Sequence, residues 1–173
     1  MKRNLFAVLS GLVLLLCVSV FAYAVHEEKP SETMAAMPGP DAVKLYDYIT
    51  KDNPYVKWEL WPGKGRLYEG REPHGAFLTT YVNSYAYFSA KDKAGQMADS
   101  SIIVKENYTP DKKLAALTVI YKIKNYNPAA GDWFWAKYEP YGKVLAWGRV
   151  EACINCHGGN KANDFIMTEK IGK

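Results

Sequence analysis

From residue 58 to residue 147 the chain alternates short apolar runs with turn residues, at the spacing of half-buried strands. Trp58–Trp61 stops at Pro62-Gly63. "AFLTTYV" (76–82), "SIIVKENY" (101–108) and "LAALTVIYKI" (114–123) carry the Thr, Tyr, Val and Ile that fit a pleated surface. Thr109-Pro110-Asp111 separates the last two, and Asn125 to Pro128 ends the third. "DWFWAKY" (132–138) follows, then Pro140-Tyr141-Gly142 turns into residues 143–147. The spacing predicts hairpins pairing 101–108 with 114–123 and 132–138 with 143–147. One helix is predicted over residues 41–50, with Asp41 as N-cap after Pro40 and Val43, Leu45, Tyr46 and Ile49 on a partial apolar face. The fold class expected is α+β and β-rich: an antiparallel β-sheet with a few flanking helices.

Upstream the pattern changes. Met1-Lys2-Arg3, an apolar run from Leu5 to Phe21 and Ala22-Tyr23-Ala24 form the three regions of a secretory signal peptide. Residues 1–24 are therefore expected to be a leader that directs export to the periplasm, and a retained membrane anchor is the competing reading. Cys17 lies inside the apolar run and would leave with it. Residues 25–40, charged and Pro-containing, read as a flexible segment, and residues 41–173 as a single domain. Losing Lys2 and Arg3 takes the net charge of +4 down to +2, too small a surplus to suggest nucleic acid as a partner. Aromatics make up 14% of the chain, and so many large rings in a small domain need a reason.

The two remaining cysteines supply one. They stand together in Cys153-Ile154-Asn155-Cys156-His157, and only Gly158–Lys173 follows. In an oxidising compartment such a pair would be disulfide-bonded unless other chemistry claims it. C-x-x-C-H is the attachment pattern of c-type haem: two sulfurs bind the porphyrin and the adjacent imidazole binds iron. A C-x-x-C redox pair does not need the histidine. Structural zinc wants four ligands, and beyond these three only His26 and His74 are at hand. One covalent haem c, held by Cys153, Cys156 and His157, is the favoured reading. The aromatics then build the apolar walls of its pocket. The layout does not suit a small electron-carrier cytochrome, whose motif comes early with a Met ligand downstream. Nor does it suit a four-helix bundle, because long apolar helical periodicity is missing.

The ordered set "PHGAFLTTYVN" (Pro73–Asn83), "IIVKENY" (Ile102–Tyr108), "YNPAAGDWFWAKY" (Tyr126–Tyr138) and "CINCHGGNKANDF" (Cys153–Phe165) resembles the cytochrome P460 family, which includes the β-type cytochromes c′. The likeness runs from about Leu67 to Ile166. It implies a haem held against the sheet near the C-terminus, a homodimer and a redox partner cytochrome. It also implies that small nitrogen species bind at a five-coordinate haem, with one of two activities. The P460 branch oxidises hydroxylamine on a haem joined to a lysine side chain. The β-type cytochromes c′ lack that bond and bind nitric oxide or carbon monoxide at five-coordinate iron. By position, the cross-linking lysine falls on Lys105. A six-coordinate electron carrier, with His74, Met97 or Met167 as second ligand, is the third reading.

Strand alternation puts Ile103, Lys105 and Asn107 on one face and Ile102, Val104 and Glu106 on the other. Lys105 therefore points either into a pocket or to water. His74, in Glu72-Pro73-His74-Gly75, is either a turn residue or a group at the iron. Phe134 must point away from Trp133 and Trp135, so at most one set faces a haem. Arg149 and Glu151, just before the motif, are candidates for pairing a propionate or handling a proton. Glu106 and Asp132 are further carboxylates to test for that last role.

Overall fold

Where the apolar alternation is strongest, the chain pairs into one antiparallel sheet. The computed structural model describes residues 36–173. The leader assigned to residues 1–24 and most of the segment 25–40 lie outside the described residues. The described residues form seven strands: β1 (Glu59–Leu60), β2 (Tyr68–Glu69), β3 (Phe77–Val82), β4 (Ile102–Tyr108), β5 (Leu114–Lys122), β6 (Trp133–Tyr138) and β7 (Val144–Gly148). They lie in the order β1-β3-β4-β5-β6-β7, with β2 also on β3. Both predicted hairpins form, with Lys105 opposite Thr118 and Lys137 opposite Ala146. The run 58–61 is reduced to two paired residues, since Pro62 has no N–H to continue a ladder.

Each face of the sheet has its own cover. On one side Ile102, Val104, Leu117, Val119, Tyr121, Phe134 and Tyr138 pack against helix α1 (Ala42–Asp47) and its π-helical continuation to Asp52. Asp41 caps α1 as expected, its carboxylate accepting from the Val43 and Lys44 amides at 2.9 and 3.0 Å. On the other side Ile103, Trp133 and Trp135 meet α2 (Ser84–Lys91), α3 (Glu151–Gly158) and the C-terminal residues Phe165, Ile166 and Ile171. Phe134 and the two tryptophans do point to opposite faces.

Two of the three helices depart from the sequence reading. In α2 the rings Tyr85 and Phe88 stay exposed while only Ala86, Ser89 and Ala90 are buried, so it has no broad apolar stripe to betray it. What starts it is Asn83, whose Oδ1 accepts from Ala86 N at 3.1 Å and from Ile102 N at 3.0 Å. The C-x-x-C-H segment, which carries no helical signal in the sequence, is a helix. It begins just after β7, where the Val150 carbonyl accepts from both Cys153 and Ile154 at 3.0 Å. Among the described residues no helix is long and apolar enough to cross a membrane.

Candidate haem-binding site

Cys153, Cys156 and His157 all lie in the eight-residue helix α3, where residues three and four apart share a face. Among the described residues both thiols are unpaired, Cys153 half-buried and Cys156 exposed. The imidazole of His157 is buried, with its Nδ1 2.8 Å from the carbonyl oxygen of Phe165. A carbonyl only accepts, so Nδ1 carries the proton and Nε2 keeps its lone pair. Metal-bound histidines are oriented by this kind of contact. The ring of Trp135 stands against that of His157, centroids 4.7 Å apart.

These side chains line a mostly apolar cavity of about 290 Å³ between α3 and the sheet. Ladder register builds its floor. Lys105 pairs with Thr118, Thr118 with Lys137 and Lys137 with Ala146, and all four line the cavity together with Ile103, Ile120 and Trp135 one row along. A more polar cleft of about 360 Å³ adjoins it and shares Pro73, His74, Lys105, Cys156, His157 and Met167. Lys105 thus faces the cleft, on the side that strand alternation left open. Burial pushes its amine down to about 8.

His74 comes to the same place from the hairpin between β2 and β3. Gly75 sets its approach: with φ at +105°, a side chain there would put Cβ 2.7 Å from the Tyr108 carbonyl oxygen. His74 Nδ1 lies 3.1 Å from Asn107 Oδ1 and 3.4 Å from Thr118 Oγ1. Its ring centre is 6.1 Å from that of His157, with the planes at 87°. Burial above all, then the charges of Lys105 and His157, pushes the His74 imidazole down to about 4. Burial also lowers His157, against the opposing pull of the Phe165 carbonyl.

The structure does not bring Arg149 and Glu151 to the cleft, contrary to what their closeness to the motif suggests. Arg149 is exposed, donating to the Tyr126 carbonyl at 2.5 Å and lying over that ring. Glu151 is exposed in the first turn of α3. Val150 and Ala152 line the cavity, and the side chains of Arg149 and Glu151 that alternate with them do not. Glu106 is on the opposite face, bonded to Tyr55 and Tyr108 at 2.9 and 2.7 Å. Asp132 holds a turn through the Asn125 and Asn127 amides. Of the methionines, Met167 lines both cavities, while Met97 is buried in the core beyond them. Asn107 and the Phe165 carbonyl act at the site without having been singled out. Asn107 was findable, since strand parity already places it beside Lys105.

The donor set fits a covalently held haem. Two free thiols one helical turn apart, a buried imidazole with Nε2 available and a largely apolar cavity meet at α3. The buried Nε1 of Trp135, which lines that cavity, has no hydrogen-bond partner among the described residues and so remains for an acceptor. A reactive dithiol fits less well, because burial raises the Cys153 thiol instead of lowering it. Among the described residues no group of three or more His, Cys, Asp or Glu could hold a metal ion, as structural zinc would require.

The family profile described as Cytochrome P460 matches residues 55–168, well over half of the chain. The match takes in β1 to β7, α3, Lys105, His74 and the C-x-x-C-H motif. No curated protein matches the chain.

Proposed function

The chain belongs to the cytochrome P460 family, and on that premise we propose that it is an exported cytochrome with one covalent haem c, acting on small nitrogen species such as hydroxylamine or nitric oxide. Membership makes it a haem-containing c-type cytochrome. The assignment of residues is our own: Cys153 and Cys156 hold the porphyrin through thioether bonds, and His157 Nε2 is the protein's ligand to iron. When bound, haem supplies a one-electron centre and an iron that takes small ligands.

One observation carries this reading. The three motif side chains converge on the cavity that Lys105 also lines, and His157 is already oriented through Nδ1. The remaining residues have their own tasks. Trp135 packs against the His157 ring and fixes its rotation. Ile103, Ile120 and Ile166 keep water from the wall. Lys105, which lines both cavities and has its amine held down by burial, is our candidate for the family's porphyrin-linked lysine.

Turnover of hydroxylamine requires an acceptor for the substrate's proton within hydrogen-bond reach. No carboxylate among the described residues lines the apolar cavity, and the adjoining cleft has Glu69 and Glu72. That favours a second reading, in which the protein binds nitric oxide or passes electrons without oxidising hydroxylamine. Recording the absorption spectrum of the dithionite-reduced protein, then assaying hydroxylamine with an artificial electron acceptor, separates the two. A strongly red-shifted Soret band with turnover supports the oxidase. An ordinary c-haem spectrum without turnover leaves the binding protein.

A further inference from the structure

Both cleft histidines have one nitrogen already engaged. For His157 the partner is a carbonyl. For His74 the partner is Asn107 Oδ1, and the surrounding bonds set which end of the amide faces it. Asn107 Nδ2 stands 2.9 Å from Lys105 O, 3.1 Å from Ala116 O and 3.2 Å from Thr118 Oγ1. With the amide nitrogen turned toward three acceptors, the oxygen is what His74 meets. An amide oxygen accepts only, so His74 Nδ1 carries the proton and Nε2 bears the lone pair. His74 and His157 are thus prepared alike, each with a protein acceptor on Nδ1 and, among the described residues, no partner on Nε2.

Their separation completes the argument. Imidazole nitrogens bind metals at about 2 Å, and a ring nitrogen lies about 1 Å from its ring centre, so two imidazoles on opposite sides of one metal stand about 6 Å apart. The observed separation is 6.1 Å. A small molecule beside the iron would need a wider gap than that. Held by Asn107, and by the Gly75 contact with β4, His74 is placed as a built ligand and not as a loose turn residue.

We propose that His74 is the second axial ligand of the resting haem, so that a nitrogenous ligand reaches the iron only by displacing its imidazole. This rests on the haem assignment above and adds a gate to it. If His74 is off the iron in about one molecule in a hundred, the apparent affinity for an added ligand falls about 100-fold.

The test uses the haem-loaded protein from cells that attach haem c. In the ferric state, electron paramagnetic resonance and the near-infrared charge-transfer band report spin state and distinguish a second histidine from methionine or lysine. The wild type is expected to be low-spin with the two-histidine signature. His74→Ala becomes high-spin, added imidazole restores the low-spin form, and cyanide binds the variant about 10- to 100-fold more tightly. A wild type that retains haem but is high-spin overturns the gate and leaves the haem assignment standing. A His74→Ala protein that stays low-spin, or a wild-type band belonging to methionine or lysine, overturns it too. If the variant fails to fold, the wild-type signature alone decides. A wild type that attaches no haem removes the assignment itself, and the gate with it.

Discussion

Lys122 and Asp164 form a buried ion pair, with Nζ 2.6 and 2.8 Å from the two carboxylate oxygens and both side chains about one-twentieth exposed. Asp164 also accepts from the Met97 amide at 2.8 Å, while its carbonyl accepts from Trp133 Nε1 at 2.9 Å. The next residue is Phe165, whose carbonyl orients His157. The pair therefore pins to β5 the segment that sets the imidazole, and a sheet residue outside the cavity positions the histidine proposed to ligate iron.

Breaking this pair from one side leaves the other charge buried and unpaired. Asp164→Ala should cost about 3–5 kcal/mol in urea unfolding, and the double change Lys122→Met with Asp164→Leu should recover much of the loss. A single-variant cost under about 1 kcal/mol would mean that the segment is held by its apolar contacts alone.

Lys105 lines both cavities. Lys105→Ala is expected to change the reduced absorption spectrum while the haem stays covalently attached through the cysteines. Superimposable spectra from the two proteins would place this side chain away from the macrocycle.

The far face of β4 responds to alkali. Burial, reinforced by Glu106, pushes the Tyr108 hydroxyl up to about 12 from an ordinary 10. Between these values the unfolded chain releases the proton and the folded chain keeps it, so stability falls as pH rises. Below pH 10 this contribution is complete. Tyr121, also raised to about 12 by burial, acts in the same direction. Urea midpoints of the wild type should therefore decline across pH 10–12 more steeply than those of Tyr108→Phe. Parallel declines would show that Tyr108 ionises at its usual pH in the fold.

The strands were legible because period-two alternation is a local signal, and the turn residues bounded them well. Lys105 shows where that signal stops. Parity put it on the face of Ile103 and Asn107, but whether that face held a cavity or water depended on α3 folding back across it. The helix α2 was hidden for a different reason: its aromatic residues look like strand formers, and its start depends on Asn83 reaching Ile102 in β4. Arg149 and Glu151 were attractive because they neighbour the motif in sequence, but it is Val150 and Ala152, between and beside them, that line the cavity, while Arg149 lies on Tyr126. Lys122 reads as an ordinary strand lysine until Asp164, at φ +52° and 42 residues away, is seen to meet it.

Everything proposed above depends on Cys153 and Cys156 carrying one haem covalently. Intact-protein mass spectrometry under denaturing conditions, on material from cells that attach haem c, tests it most directly. The expected mass is that of the polypeptide plus a single haem, with loss of that adduct when both cysteines are changed to serine. A wild-type mass of polypeptide alone, or one with the two thiols joined as a disulfide, would contradict it.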